Sequence, residues 1–320
     1  MTQHTQLIVC LGEALVDRLG LPGQDLASDG PVDDRLGGAP ANVACGLARL
    51  GTPAAFVGRL GTDPIGVAFF KVFEQRGINV GCLQEDPERP SRVVLVRREL
   101  GGERQFHGFA GDKGFGFADQ ALTAQVLPDA RWLLIGTIPL ASPTSAFALH
   151  SALKQMEASR TPVALDVNWR PTFWDELLDP GSGPTAEQLD LVCPLLQQAS
   201  LIKLAREEAL WFFATDSPVD ISRMLPQHPD VVVTNGGESV HWCLAGECGI
   251  QPAFQLQTVV DTTGAGDAFT AGLLHRWDAP PSERVLFAAA CGAIVCTGAG
   301  AIDSQPTEAD VDLFLRQQNH

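Results

Sequence analysis

The sequence from residue 258 to residue 274 constrains the fold and chemistry of this chain more than any other part. A β-branched run, Thr258-Val259-Val260, precedes Asp261-Thr262-Thr263-Gly264-Ala265-Gly266-Asp267, and an Ala- and Leu-rich segment with helical spacing follows. This pattern predicts a strand, a glycine turn and a helix. Because glycine has no Cβ, Gly264 and Gly266 allow the backbone to approach a ligand closely. The free N–H groups of the helix's first turn, together with its dipole, favour an oxyanion there.

The carboxylate of Asp267 lies in the same predicted turn. A turn that only holds an anion does not need a negative side chain beside it. A turn that transfers a phosphoryl group to a hydroxyl does, because a base must accept the hydroxyl proton. The alternative is a loop with an ordinary first-turn Asp. We predict that Gly264, Ala265 and Gly266 form an anion hole and that Asp267 is the catalytic base.

A second glycine-rich stretch, Gly37-Gly38-Ala39-Pro40-Ala41-Asn42, lies far from the first and is followed by Gly51 and Gly61. Together the two stretches resemble the two signatures of the ribokinase-like (PfkB) sugar kinases, and the resemblance covers most of the chain. It implies an α/β fold, a ribokinase-like three-layer α/β/α sandwich with a mainly parallel central sheet and a small β lid. It also implies ATP as phosphoryl donor, Mg²⁺ bridging the phosphates, and K⁺ beside Asp261 and Thr263.

Composition narrows the classes of partner. The 320 residues are 45% hydrophobic, as expected of a globular chain with a sizeable core, and carry a formal net charge of −16. This charge argues against nucleic acid or an anionic membrane as a partner. A polyanion such as ATP would then need helix N-termini, a few basic side chains and a divalent cation. No apolar run is long enough to span a bilayer and no leader pattern is visible, so we expect a cytoplasmic protein.

The eight cysteines are scattered, mostly within apolar runs, and none forms a Cys-x-x-Cys pair. We therefore predict buried, reduced thiols instead of disulfides or metal ligands.

Apolar strands alternate with helical segments along most of the chain, as in a parallel sheet with crossover helices. We predict a single kinase domain over residues 1–320, with strands near 6–11, 54–60, 132–136, 163–168, 200–204 and 231–234, helices near 41–50, 65–75, 144–159 and 283–296, and antiparallel edge strands near 239–245 and 248–254. Two segments interrupt the alternation: the Gly-, Asp- and Pro-rich residues 20–36 and a hairpin around Gly101-Gly102. We predict that residues 13–36 and 91–110 form the lid.

Several polar residues follow predicted strands or glycine turns and are candidates for sugar binding. Asp17 follows the first strand, where α/β proteins bind ligands, although a surface-turn acid is equally compatible with its position. Gly37 and Gly38 let a polyol approach the backbone, and the amide of Asn42 can bond its hydroxyls. Phe109 of the hairpin could face the ligand, although hairpin aromatics more often pack against one another.

The stretch Asp166-Val167-Asn168-Trp169-Arg170, followed by Trp174, ends another predicted strand. The Asp-x-Asn-x-Arg…Trp pattern is typical of the fructokinase branch, and the resemblance places Arg170 near the sugar or the transferred phosphate. A structural ion pair is the alternative for Arg170. We predict that Asn168 and Arg170 contact the substrate.

The resemblance also implies a nucleotide site and a metal ligand. The residues predicted to bind nucleotide are Lys203, Thr234, Gly236, Gly264, Gly266 and Ala293. Relatives carry Asn-x-x-Glu after the strand that contains Lys203. This chain has Ala205 in place of the Asn, and only Glu208 fills the acidic position, so Glu208 is the candidate Mg²⁺ ligand.

The opening Gly12-Glu13-Ala14-Leu15-Val16-Asp17 and the Gly38–Asn42 stretch resemble fructokinases, whereas ribokinases more often have a Lys in the first signature. We expect phosphorylation of the 6-hydroxyl of D-fructose, with ribose and 2-keto-3-deoxygluconate as alternative substrates. A non-catalytic sugar sensor would not need Asp267. A dinucleotide-binding oxidoreductase would need Gly-x-Gly-x-x-Gly after the first strand, and residues 12–17 do not supply it. The expected partners are a small sugar and ATP, and the lid could also join two copies as a homodimer.

Overall fold

The computed structural model describes residues 6–20, 32–98 and 104–318. The strands in these ranges are β1 Ile8–Leu11, β2 Leu15–Gly20, β3 Val32–Gly37, β4 Ala54–Gly61, β5 Asn79–Asp86, β6 Arg92–Arg98, β7 Arg104–Ala110, β8 Trp132–Ile135, β9 Val163–Asp166, β10 Leu201–Ala205, β11 Asp230–Thr234, β12 Val240–Leu244 and β13 Glu247–Gln251. The helices are α1 Ala39–Leu50, α2 Pro64–Gln75, α3 Pro143–Ser159, α4 Pro171–Trp174, α5 Ala186–Gln198, α6 Arg206–Phe213, α7 Pro218–Met224, α8 Ala265–His275, α9 Pro281–Val295 and α10 Glu308–Gln318.

Helix boundaries follow local chemistry. Helix α1 has a proline in its first turn and ends at Gly51, which adopts φ 95° in the left-handed region. Helix α2 begins after Asp63, whose side chain accepts a hydrogen bond from the backbone N–H of Gly66 at 2.9 Å. These ends lie within two residues of the predicted ones.

Within the described ranges, the central sheet has nine strands in the order β13-β12-β11-β10-β9-β8-β1-β4-β5. All neighbours are parallel except β11–β12 and β12–β13, which are antiparallel. From β1, the chain adds β4 and β5 on one side of the sheet, and later adds β8, β9, β10 and β11 on the other side. Because crossovers diverge at β1, the carboxyl ends of the strands beside it form a crevice where α/β proteins bind ligands.

Alternate residues of the central strands bury into two separate cores, one on each face of the sheet. Ile8 and Cys10 face one core with helices α1, α2, α8, α9 and α10, and Val9 and Leu11 face the other with α3, α5, α6 and α7. This confirms the predicted three-layer α/β/α architecture with a mainly parallel sheet. Within the described ranges, no helix combines the length and apolar character needed to cross a bilayer.

A second sheet, with four strands in the part of the chain that the structure describes, has the order β3-β2-β6-β7 and lies where the lid was predicted. Strand β2 pairs parallel with β6 and antiparallel with β3, and β6 and β7 pair antiparallel. Residues 21–31 of the predicted lid and its Gly101-Gly102 turn are outside the described residues. The function of this sheet as a lid, and the assignment of residues 1–320 to one domain, stay predictions.

The predicted strand ending at Thr258-Val259-Val260 is wrong. Val259 and Val260 are exposed, and the backbone N–H of Val260 donates to the carbonyl of Cys296 at 2.8 Å. Among the described residues the sheet ends at β13, and this β-branched run pairs with no strand of it. It lies instead beside the carboxyl end of α9.

The prediction of thiols at all eight cysteines is also wrong, since Cys243 and Cys248 form a disulfide. The two residues are directly opposite each other in the β12–β13 hairpin, with Cα atoms 4.1 Å apart. Cross-strand register, which the spacing in sequence did not reveal, brings them together. The other six cysteines are free, and burial raises the pKa of the Cys10, Cys45 and Cys291 thiols.

Candidate active site

A cavity of about 570 Å³ lies between the carboxyl edge of the central sheet and the four-stranded sheet. Its walls are built from segments that are distant in sequence. The predicted site residues among its lining are Asp17, Gly38, Asn42, Asn168, Arg170, Lys203, Thr263, Gly264, Gly266 and Asp267. The fold therefore brings together both glycine-rich stretches and the ends of β9 and β10.

Asp267 is half-buried in the first turn of α8. Its Oδ2 accepts a hydrogen bond from Nδ2 of Asn42 at 2.7 Å, which joins the two glycine-rich stretches directly. Burial raises the pKa of Asp267 to about 6, and the negative charge of Asp166 adds to this shift. The hydrogen bond from Asn42 and the positive charges of Lys203 and Arg170 oppose it. A carboxylate that titrates near 6 is ionised at neutral pH and basic enough to accept a proton.

Lys203 and Asp166 form a buried ion pair whose charges act on Asp267. Nζ of Lys203 donates to both carboxylate oxygens of Asp166 at 3.1 Å, and Oγ1 of Thr270 donates to Oδ2 of Asp166 at 3.0 Å. Burial alone would lower the pKa of Lys203, but the charges of Asp166, Glu208 and Asp267 raise it. Lys203 therefore stays an ammonium at the floor of this cavity.

The turn at Gly264 has the left-handed geometry expected of a helix N-cap glycine, with φ 79°. A Cβ there would collide with Ala301 of the opposing loop, so only glycine fits. The N–H of Ala265 donates to the carbonyl of Thr262 at 3.2 Å and is already engaged in the turn. The N–H groups of Gly266 and Asp267 lie in the first helical turn, where no intrahelical partner exists.

A second cavity of about 600 Å³ adjoins the first, and Thr262 and Gly266 line both. The predicted nucleotide residues Thr234, Gly236 and Ala293 line this second cavity. Its remaining walls include the apolar side chains of Val240, Phe254, Leu256, Val259 and Phe269. An apolar slot that leads to a helix N-terminus suits an aromatic base joined to phosphates.

Comparison with known proteins agrees with this arrangement. A family model described as pfkB family carbohydrate kinase matches residues 5–308. The chain belongs to this family. It is a sugar kinase, a phosphotransferase with an alcohol group as acceptor.

Individual relatives are fructokinases. Fructokinase-1 of Zea mays is 32% identical over 330 residues, which cover 97% of this chain and 98% of the relative. A crystal structure of fructokinase with bound ATP from Xylella fastidiosa has a TM-score of 0.82 at 27% identity and covers 99% of this chain and 100% of that chain. Fructokinase from Vibrio cholerae O395, in a fructose, ADP and calcium ion bound form, has a TM-score of 0.80 at 28% identity over 98% and 99% of the two chains.

Two residues predicted to bind sugar in this kinase do not line the first cavity. Gly37 lies behind Asp17, where a Cβ would be 3.3 Å from Oδ2 of that side chain. Phe109 packs edge-on against Phe106, with ring centroids 5.1 Å apart, and it is Phe106 that lines the cavity. Which residues of a hairpin face the cavity depends on how its two strands are paired. The pairing of β6 and β7 shifts between Leu95 and Val96, and the sequence does not reveal this shift.

Sequence reasoning did not single out Glu13, which lines the cavity and is buried. Its Oε1 accepts a hydrogen bond from the N–H of Ala39 at 3.1 Å, and its Oε2 has no partner among the described residues. Burial raises its pKa to about 8, with further contributions from the charges of Asp119 and Asp267. An acid directly after a buried strand gave no signal that the four-stranded sheet would cover it.

The proposed metal ligands use their oxygens on backbone amides. The buried Glu208 accepts hydrogen bonds from the N–H groups of Trp169 at 2.6 Å and Ala205 at 2.7 Å. Asp261 accepts from Thr263 at 2.9 Å and from Gly300 at 3.2 Å. Within the described residues, no group of three or more His, Cys, Asp or Glu side chains is arranged to hold a metal ion.

Proposed function

We propose that this kinase transfers the γ-phosphoryl group of ATP to the 6-hydroxyl of D-fructose. The observation that carries the proposal is the position of Asp267, which lines the polar cavity directly after Gly266, a residue that lines both cavities. A hydroxyl in the first cavity and a triphosphate reaching from the second would meet beside this carboxylate. The fructokinase relatives support fructose as the sugar.

In this reaction the 6-hydroxyl oxygen attacks the γ-phosphorus, and the bond from that phosphorus to the β–γ bridging oxygen breaks to release ADP. The hydroxyl proton passes to Asp267, whose contribution as a general base is on the order of 10²–10⁴-fold. The first-turn amides of Gly266 and Asp267 would stabilise charge on the transferred group, each worth about 3 kcal/mol. We assign charge balance on the phosphate to Arg170 and Lys203.

We assign the sugar to the polar wall of the first cavity. Asp17 and Asn168 present acceptor oxygens, and Gly38 provides close backbone approach because a Cβ there would lie 2.7 Å from the carbonyl oxygen of Glu13. Asn42 positions Asp267 through the hydrogen bond described above. Thr234, Gly236 and Ala293 would border the nucleotide in the second cavity.

The carboxylates near the two cavities fit a divalent cation that binds together with ATP better than a cation bound by protein ligands alone. Mg²⁺ commonly binds one or two carboxylates together with substrate phosphates. Both oxygens of Glu208 are engaged, so Glu208 would act on the ion through water. Mg²⁺ would neutralise phosphate charge, and Asp261 and Thr263 are the residues that would hold K⁺, which would supply further positive charge.

We further propose that the four-stranded sheet closes over the bound sugar. Among the described strands, β3 and β7 are the edges of that sheet, and edge strands can pair with a second copy. Sedimentation velocity at several concentrations would test the homodimer: a single monomeric species at all of them would contradict it.

A coupled assay of ADP release tests the proposed reaction directly. The panel is fructose, ribose, 2-keto-3-deoxygluconate, glucose and adenosine, each with ATP and Mg²⁺. We expect the highest kcat/KM with fructose. A higher kcat/KM with ribose or 2-keto-3-deoxygluconate would make that sugar the substrate in place of fructose. If no ADP is released with any of the five compounds, the proposed kinase reaction is contradicted for these sugars.

A further inference from the structure

The guanidinium of Arg92, at the start of β6, is buried outside the substrate cavity. Nε and Nη2 donate to the two oxygens of Asp119 at 2.8 and 3.0 Å, and the two side chains are 4% and 6% exposed. A buried ion pair gains little stability over an apolar pair of similar volume, since both charges lose their hydration. The pair is therefore a candidate for a role other than stability.

Three phenylalanine rings surround the same guanidinium. Its central carbon is 4.8 Å from the ring centroid of Phe109, 4.6 Å from that of Phe117 and 4.8 Å from that of Phe173. The rings come from β7, from the segment that leads to Asp119, and from α4. Arg92 thus contacts the four-stranded sheet and two segments outside it.

This cluster reaches the first cavity through its phenylalanine rings. Phe173 lines the 570 Å³ cavity itself. Phe109 packs against Phe173 with centroids 5.0 Å apart and against Phe106, the other cavity-lining phenylalanine, at 5.1 Å. Among the residues described, Arg92 does not line that cavity, and it reaches it through these rings.

We propose that Arg92 is a positioning residue for the sugar, fixing Phe173 directly and Phe106 through Phe109. The inference rests on the proposed function of this cavity as the sugar site. A planar guanidinium can bind a carboxylate with its fork while it stacks on aromatic faces, and an ammonium cannot do both. Loss of this geometry leaves two wall rings to be ordered when the sugar binds, which weakens sugar binding and leaves the nucleotide cavity unchanged.

The test compares Arg92→Lys with Arg59→Lys. Arg59 also pairs with a buried aspartate, Asp86, at 2.9 Å, and does not line the cavity. For Arg92→Lys we expect a rise in the fructose KM of about tenfold with the ATP KM changed less than about twofold. For Arg59→Lys we expect both KM values to stay near those of the wild type, even where its melting temperature falls.

The split between the two KM values separates positioning from loss of fold. An unchanged fructose KM in Arg92→Lys, or equal increases in both KM values, would overturn the inference. If Arg92→Lys does not fold, Asp119→Asn removes the charge of the partner without changing its shape, and the same split is expected. A wild type that prefers another sugar contradicts the proposed substrate, and the KM for that sugar then tests Arg92.

Discussion

The pH dependence of kcat/KM should report the ionisation of Asp267. With a pKa of about 6, the carboxylate is about 90% ionised at pH 7 and about 10% ionised at pH 5. Only the ionised form can accept the hydroxyl proton, so kcat/KM should fall nearly tenfold between these two pH values. It should be level above pH 7 until another group titrates.

Replacing Asn42 with leucine should move this profile. The hydrogen bond from Nδ2 of Asn42 stabilises the charged form of Asp267. A hydrogen bond to a charged group contributes about 1.5–3 kcal/mol, and about 1.4 kcal/mol corresponds to one pKa unit. The inflection should therefore rise by about one to two pH units in Asn42→Leu.

The assay is coupled ADP release at subsaturating fructose from pH 5 to pH 9, with coupling enzymes in excess at each pH. Asp17→Asn is the control, because it removes a cavity carboxylate without touching Asp267, and should lower kcat/KM without moving the inflection. A wild-type profile that is flat down to pH 5, or an inflection unmoved in Asn42→Leu, would refute the reasoning.

Two further substitutions test the cavity and the turn. Asp17→Ala should raise the fructose KM at least tenfold while the ATP KM changes little, because Asp17 lines only the first cavity; equal effects in initial-rate kinetics would count against its role. Gly264→Ala should lower kcat by more than tenfold, because the new Cβ would collide with Ala301. Gly51→Ala is the control: Gly51 also has a positive φ, 95°, so the variant carries a similar backbone strain of about 1–2 kcal/mol. A Cβ at Gly51 would meet no atom within 4 Å, so this variant leaves the turn at Gly264 in place. Equal kcat values for the two variants would contradict the geometry proposed for the anion site.

Much of the fold could be predicted because its central strands are short apolar runs. The runs at Ile8–Leu11 and Val163–Asp166 are buried on both faces, and such runs identify central parallel strands. The run at Thr258-Val259-Val260 has the same local character. Strand formation needs a neighbour with free backbone groups, and local sequence does not show that the sheet ends at β13.

The candidate site could be located but not completed from sequence. Asp267 and Asn42 were found because each follows glycines at a helix start. The pairing of Lys203 with Asp166 depends on β9 and β10 being neighbours, and their register places the two residues directly opposite each other. The burial of Glu13 and Arg92 depends on how the four-stranded sheet sits on the central one, which no short stretch of sequence encodes.

The most direct test of Asp267 as the base is single-turnover phosphorylation of fructose by Asp267→Asn, measured beside fructose binding by calorimetry. Asparagine keeps the shape of the side chain but cannot accept the proton. We expect the rate to fall by about 10²–10⁴-fold while the Kd for fructose stays within a fewfold of the wild-type value. A near-normal rate in this variant would contradict the account, since the hydroxyl proton would then have another acceptor.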